Sequence, residues 1–538
     1  MDLRAPTWYE LIDDAAEKIN NDVGRRVLTI LPGVEISCTG IHILAIFPPT
    51  SPRRSIHFVI CQLLNEIGFD IEEWGKNPIV GKRSVIDATN LIVSKGGIPI
   101  PAHIDGSDQA LLRLHKLTSG AMKNIIYNEK LSAVEIVNPS KFKKKDRKLK
   151  TTLKEWIDSL RIEKGLVSIS YLQGSDAHDL KNIGRRFTLM KMTEPSFHGL
   201  ENSICIPSTR IRISDGYKPV ENGLFIYGLE LNSKLFGKRF LRFNRHLNCI
   251  TGKKETGKTS IFQLMQSAVN ETVMKSKDSA KLFVEKIENS KLYYYCFSRE
   301  GISNDIELYS INRDNNTAKI IDRKKAERLA IKVNFYDPRK IDEIISSRDK
   351  LQIFLIKHFG VNTKEYIKEF NKMFSTSKFL NLKKEELLTI KKQNNILKLY
   401  LNINWKKRKP KRVEFHRLNN SLRRAVMIIM IIMNNRFGPV IIDAPEYYLD
   451  NEDISNFLIP IIKKNKDNRQ IIFFTANPII AVNSDPENYM LLESSATQKN
   501  KIISGFSIDK EDKKNEVISI LEGGVTSYDE RGNRYNLR

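Results

Sequence analysis

The densest chemistry in the sequence lies between Leu241 and Phe262, LRFNRHLNCITGKKETGKTSIF. Gly252, four intervening residues and then Gly257-Lys258-Thr259 complete the phosphate-binding loop pattern. Glycines let backbone N–H groups wrap phosphate oxygens, and the helix that follows adds the positive end of its dipole. Lys258 would reach the β- and γ-phosphates, and Thr259, with Ser260 behind it, would turn a hydroxyl toward Mg²⁺. A second element, GPVIIDAPEYYLD (438–450), sets Asp443 at the end of an apolar run with Glu446 just beyond. An Asp so placed holds the water shell of Mg²⁺, and a nearby Glu activates the attacking water. ATP and Mg²⁺ are the cofactors to expect, with Glu446 and Asp443 as the catalytic pair.

A different constellation occupies the first part of the chain. Glu35 follows LPGV, His103 follows IPIPA, and Asp176 and His178 stand together in GSDAH. Carboxylate and imidazole are the ligands of Zn²⁺, Mn²⁺ or Fe²⁺. A lone His is more often a satisfied core or loop residue, so the weight lies on the set, each member at the end of an expected strand.

Elements must carry these groups. Leu247 to Ile250 reads as a short buried strand, and Lys258 onward as a helix with Ile261, Phe262 and Leu264 on its inner face. Residues 1–215 alternate strands (Leu28 to Ile36, Ile98 to Ile104, Ala133 to Val137, Leu166 to Leu172) with helices (Ser55 to Gly68, Leu153 to Arg161), the pattern of a parallel α/β or barrel domain. Catalytic groups at barrel strand ends are the usual layout of such folds. In 216–345, GLFIYGLELNS, KRFLRFN, KLYYYCFS and IELYSINR read as antiparallel strands around the phosphate loop. Residues 346–410 read as a short helical insertion, with Ile367, Phe370 and Phe374 at helical spacing and Leu387, Leu388 and Ile390 after them. In 411–538 a helix, Ile454 to Lys464, and a strand, RQIIFFTANP (469–478), follow the acidic element.

Composition sets limits on function. A chain of 538 residues calls for two or three domains, and 41% hydrophobic content is ample for their cores. The net charge of +25, partly clustered in KFKKKDRKLK (141–150) and KKRKPKR (406–412), favours a polyanionic partner such as nucleic acid. The most apolar run, Ala425 to Met433, is too short to span a bilayer and reads as a buried helix, so no membrane is expected. The start, MDLRAPTWYELIDD, has neither a basic beginning nor an apolar core. Five cysteines without a C-x-x-C pair fit a reducing cytoplasm, the expected location.

LPGVEIS…IHILAIF, PIPAHID, VEIVN and GSDAHDLKNIGRRFT resemble the successive motifs of the PHP (polymerase and histidinol phosphatase) metallophosphoesterase family. The resemblance implies that Glu35, His103, Asp176 and His178 bind a metal cluster, with His42 as a further candidate. The family's first motif, H-x-H, has no counterpart before His42, so its two ligands are expected to be missing and a single weakly held Zn²⁺ or Mn²⁺ is the most to expect. The second half is similar to the ABC-type head of SMC-like repair ATPases, whose nucleotide site completes only when two heads dimerise. In order and texture the chain resembles the TrlF-like PHP–ATPase fusion family, down to the ending ILEGGVTSYDERGNRY. The fold this implies is α/β, an incomplete PHP-type (βα) barrel followed by an ABC/SMC-like P-loop ATPase head. The function it implies is ATP-dependent work on nucleic acid, in DNA repair or in defence against mobile DNA, by a homodimer. Against the family's pattern, the signature segment is Leu418 to Arg424, LNNSLRR, without its glycine. The switch His is Ala476, the residue after Asp443 is Ala444, and the glutamine loop falls at Tyr336-Asp337-Pro338.

Overall fold

The computed structural model describes residues 6–70, 72, 74, 80–106, 110–114, 120–145, 151–213, 223–233, 235–269, 291–298, 301–303, 309–312, 317–320, 334–359, 388–393, 396–403, 411–434, 438–495 and 500–535. The chain divides into two compact units, Met1–Lys218 and Pro219–Arg538.

The first unit opens with α1 (Trp8–Val23), started by a capping box in which Thr7 and Glu10 satisfy each other's backbone N–H groups. A hairpin follows, β1 (Gly33–Cys38) and β2 (Ile41–Ile46). Its register pairs Cys38 with Ile41, leaving Thr39-Gly40 as a two-residue turn with both φ positive, the geometry that matches strand twist. Helices α2 (Ser55–Ile67) and α3 (Val85–Ser94) lie between this hairpin and β3 (Ile98–Pro101), which pairs antiparallel to β2. The described helices α4 (Leu111–Leu114) and α5 (Gly120–Ile126) lead to β4 (Ala133–Glu135); α6 (Pro139–Lys143) and α7 (Leu153–Glu163) lead to β5 (Ser170–Leu172), parallel to β4. Single hydrogen bonds splice these pieces: Ala102 N–H to His42 carbonyl (2.9 Å), Ile104 N–H to Glu135 carbonyl (3.0 Å) and Ile136 N–H to Leu172 carbonyl (2.8 Å). After β6 (Thr188–Met190), α8 (Phe197–Cys205) and α9 (Pro207–Arg210), β7 (Ile211–Ile213) returns antiparallel to β6. Alternate residues Ile36, Ile41, Ile43 and Ala45 pack with Leu63, Ile67, Ile92, Ile125 and Ile157 in one core.

This corrects the expectation of a parallel barrel. Among the described strands of this unit only β4 and β5 pair in parallel, and the leading sheet is an antiparallel three-stranded one. The strand expected from Leu28 starts only at Gly33, beyond Pro32, and the one expected from Leu166 starts at Ser170.

In the second unit, β8 (Gly223–Ser233), β9 (Gly237–Arg242), β11 (Lys291–Ser298) and β12 (Gly301–Ser303) form an antiparallel sheet in the order β12-β11-β8-β9. β13 (Tyr309–Asn312) and β14 (Thr317–Ile320) make a separate hairpin. The main sheet has the order β15-β19-β20-β10-β21-β22, from β10 (Leu247–Gly252), β15 (Asn334–Tyr336), β19 (Val440–Asp443), β20 (Ile471–Thr475), β21 (Asn488–Glu493) and β22 (Lys501–Phe506). All its pairings are parallel except β21–β22. Its strands read as unbroken apolar runs because both faces are covered. Ile441, Ile472 and Phe474 face Ile261, Phe262 and Met265 of α10 (Lys258–Val269). Their neighbours Val440, Ile442, Ile471 and Phe473 share the opposite core with α11 (Pro338–Ser346), α12 (Arg348–Phe359) and α13 (Asn420–Met433). All nine residues Ala425–Met433 are buried, as expected, each contributing roughly 1–3 kcal/mol of apolar transfer. No helix among the described residues is long and apolar enough to cross a membrane.

The insertion differs from expectation. Its first described part is helical, α12, but β16 (Leu388–Gln393) and β17 (Ile396–Ile403) form an antiparallel meander with β18 (Lys411–Glu414), just beyond the expected insertion. Leu388 and Ile390, read as helical, are in β16, while Ile367, Phe370, Phe374 and Leu387 lie outside the described residues. Leu397, Leu399, Leu401 and Ile403 alternate with period two, and the register pairs Gln393 with Ile396 across a two-residue connection. The helix expected from Ile454 to Lys464 begins as a π-helical turn, Ile454–Leu458, and becomes α-helical as α14 (Ile459–Asn465), with Pro460 in its first turn.

Candidate functional site

The phosphate loop sits where a parallel sheet presents its strand ends. β10 delivers Gly252, and α10 begins at Lys258, with Thr259 and Ser260 in its first turn. Gly252 has φ +156°, and a Cβ there would come within 2.3 Å of the Leu492 carbonyl oxygen on β21. Gly257 has φ +97°, with the Phe236 ring 2.5 Å from where a Cβ would stand. Both positions therefore require glycine for backbone conformation and for close approach. Lys258 Nζ donates to the carbonyls of Gly252 and Lys253, at 2.7 Å each, so its side chain folds back over the loop. Burial lowers the Lys258 pKa, opposed by the charges of Asp443 and Glu446.

β19 lies beside β20, which lies beside β10, so Asp443 ends two strands from the loop. The Thr259 side chain is close enough to act through hydrogen bonding on the Asp443 carboxylate, lowering its pKa, so the two sequence motifs come together. Burial pushes Asp443 up to about 6, against that hydrogen bond and the Lys258 charge. Glu446 is also raised, chiefly by burial. Its Oε1 accepts the Ala476 N–H (3.2 Å), and the nearby Thr475 side chain also lowers its pKa. Its other oxygen, Oε2, is buried and has no hydrogen-bond partner among the described residues. Ala444 and Tyr448, on either side of Glu446, take left-handed backbone conformations with φ 49° and 63°. Each costs about 1–2 kcal/mol for a residue with a side chain. Thr475 was not singled out from sequence, and its signal was there: a polar residue closing the apolar run IIFFT.

The signature-like segment opens α13. Asn419 caps it by accepting the Leu422 N–H (2.8 Å), Ser421 donates to Asp453 (2.6 Å), and Asn420 accepts from Arg423. Tyr336 closes β15, and Asp337 caps α11, its charge raising the Asp443 pKa.

In the first unit the structure brings together three of the five expected metal ligands. Glu35 lies on β1 and His42 on β2 opposite Ser37, two residues along the same face, with His42 Nδ1 2.7 Å from Glu35 Oε1. His103 follows β3, its Nε2 3.2 Å from His42 Nδ1 and 3.9 Å from Glu35 Oε1. One ligand atom from each lies within 4.8 Å of the others, a donor set that fits one ion. Asp176 and His178 are not in that group. They approach each other at 3.8 Å, with the His178 ring 92% exposed. Their charge is nevertheless felt, since His178 helps lower the Glu35 pKa, a shift led by the His42 hydrogen bond. His103 and Asp176 both have positive φ, 32° and 48°, a conformation His and Asp tolerate better than most. Glu135, in VEIVN, was not expected to take part. It is buried, accepts the His103 N–H (3.1 Å) and so fixes that residue's backbone; burial raises its pKa.

No family model matches the chain. No curated protein matches it either. Among solved structures, an SMC head bound to the C-winged helix domain of ScpA is similar at 14% identity, over 53% of this chain and 99% of that one, with a TM-score of 0.41. The SMC head domain from Thermotoga maritima is similar at 12% identity, over 52% and 98%, with a TM-score of 0.36. An Smc head domain with an extended coiled coil, bound to the C-terminal domain of ScpA derived from Pyrococcus furiosus, is similar at 13% identity, over 55% and 99%, with a TM-score of 0.38. Likeness this distant carries no weight for the site, which stands on its own distances.

Proposed function

We propose that the chain is an ATP-binding P-loop ATPase of the SMC/ABC-like type, slow in turnover, joined to a degenerate PHP-like metal-binding unit and acting on nucleic acid in repair or defence against mobile DNA. The observation that carries the nucleotide reading is the loop itself, with no room for a Cβ at Gly252 or Gly257 and Lys258 folded over it, beside a β19 that ends in Asp443 two strands away. Four groups needed for phosphoryl transfer are thus gathered from two segments that are far apart in sequence.

Lys258 would exchange the Gly252 and Lys253 carbonyls for phosphate oxygens. The N–H groups of the loop and of the first turn of α10 would hold the remaining phosphate charge. Mg²⁺, held by Thr259 and Asp443, would neutralise charge on the β- and γ-phosphates. Glu446, fixed through Oε1, has Oε2 free to accept a proton from the attacking water as the water oxygen bonds to phosphorus and ADP departs. Asn420 and Ala476 replace a backbone-exposing glycine and an imidazole, which removes transition-state stabilisation and sets turnover low. One phosphate loop and one signature-like segment per chain make a homodimer the complete unit. In the first unit Glu35, His42 and His103 would hold a single Zn²⁺ or Mn²⁺ able to polarise a phosphoester oxygen.

The same losses at Asn420 and Ala476 favour a second reading, an ATP-gated nucleic-acid-binding protein that does not hydrolyse. ATP with Mg²⁺ is expected to raise the melting temperature, and Lys258→Ala to abolish the rise. Absence of any rise in the wild type at millimolar ATP would sink the nucleotide reading. Phosphate release by the wild type but not by Glu446→Gln separates the two readings.

A further inference from the structure

The turn that carries Glu446 is gripped by groups outside the phosphate loop. Within it, the Tyr447 N–H donates to the Ala444 carbonyl (3.0 Å) and the Leu449 N–H to the Glu446 carbonyl (2.9 Å). The second bond closes a turn with Tyr448 at its third position, where φ is positive and glycine is usual; a bulky residue keeps φ 63° there only where its surroundings support it. The external hold comes from α13. The Arg424 guanidinium carbon lies 4.1 Å from the centroid of the Tyr448 ring, and Arg424 Nε donates to Asp342 Oδ1 of α11 at 2.6 Å. Arg424 is only 13% exposed, whereas Tyr448 is 58% exposed. The Tyr447 ring meets Tyr448 edge-on, with centroids 4.0 Å apart, and the two hydroxyls are hydrogen-bonded at 3.1 Å. α11 starts at the cap Asp337, whose charge acts on Asp443, and α13 starts at the signature-like segment. One guanidinium therefore joins the three elements that converge on the acidic side of the loop.

We infer that Arg424 and Tyr448 are positioning residues: their stack, anchored by Asp342, keeps the turn in its left-handed form and thereby aims the Glu446 carboxylate. The consequence for turnover rests on the reading of the loop as an ATP site; the hold on the turn does not. Arginine suits the place because a planar guanidinium can stack on a ring and donate in its plane together, which an ammonium cannot.

The test uses the full chain and two readouts: amide hydrogen exchange of residues 444–449, and ATP turnover beside the ATP-induced melting shift. Arg424→Ala and Tyr448→Ala are expected to speed exchange at Tyr447 and Leu449 by about 10-fold or more, and Tyr448→Phe, which keeps the ring, to match the wild type. Turnover falls about 10- to 100-fold in the two alanine variants, as expected of a reacting group displaced by about an ångström. KM and the melting shift stay where they were, which a general loss of stability would not produce. Arg424→Lys behaves like the alanine variant. Wild-type exchange in both alanine variants, or an alanine-like Tyr448→Phe, overturns the hold. Faster exchange with undiminished turnover overturns the aiming. Should Arg424→Ala fail to fold, Tyr448→Ala decides by itself, because its ring is largely exposed. A wild type without any ATP-induced shift removes the nucleotide reading, and the exchange contrast still decides the hold.

Discussion

Glu446 and Asp443 are two carboxylates in one buried place with different tasks. Asp443 lies close enough to the Thr259 side chain for it to lower the Asp443 pKa, and the two would share Mg²⁺ in the proposed reading, while Glu446 keeps one buried oxygen without a partner among the described residues. The roles separate by experiment. Glu446→Gln keeps the size and the Ala476 contact but removes the base, so turnover should drop about 100-fold or more with ATP affinity unchanged. Asp443→Asn should weaken only the Mg²⁺-dependent part of ATP binding. Titrations of nucleotide with and without Mg²⁺, beside steady-state phosphate release, read both effects. Equal loss of affinity in the two variants would show that the roles are not divided this way.

At the scale of elements, the start of α13 carries the departure on which the proposed slow turnover rests. Asn420, where the resemblance puts the signature glycine, accepts a hydrogen bond from Arg423. Asn420→Gly should raise ATP turnover, because backbone N–H groups could then approach a γ-phosphate closely. The same change should lower thermal stability, by roughly 0.5–1 kcal/mol, since glycine in a helix costs backbone entropy. Turnover rates and melting temperatures of the wild type and this variant decide it; slower turnover in the Asn420→Gly variant would mean that the segment plays no part in the site. Legibility from sequence also divides by element. β10, β19 and β20 were readable because parallel strands buried on both faces are apolar over most of their length, without the alternation of a half-exposed strand. β16 and β17 were not, because Lys and Leu mix in ways that fit either period, and only cross-strand pairing selects period two.

For the molecule as a whole, the two units make separate predictions. The first should bind at most one transition metal per chain, through Glu35, His42 and His103, and a chelator should leave the ATP-induced melting shift of the second intact. Elemental analysis finding two or more tightly held ions would contradict the three-ligand site. The charge of +25 predicts nucleic-acid affinity that is only weakly sequence-dependent and falls steeply with salt. Duplex DNA titrated at two ionic strengths tests this, and a salt-insensitive affinity, or none at low salt, would remove the polyanion partner.

By itself the sequence determined the phosphate loop, its acidic partner and the strands that bear them. Glycine at fixed spacing and unbroken apolar runs have few other physical uses. It also named the candidate metal ligands, since carboxylate and imidazole at strand ends can be listed without knowing their neighbours. Tertiary structure alone decided which of those ligands meet. Glu35 and His42 meet diagonally on one face of the hairpin because a two-residue turn sets the β1–β2 register, while Asp176 and His178 sit on a segment whose path no local pattern fixes. It also decided that Arg424 of α13 lies on Tyr448 and binds Asp342 of α11, residues up to 82 positions apart. Spacing along a chain records which face of an element is apolar; it does not record which elements pack together, and contacts of this kind exist only once they do.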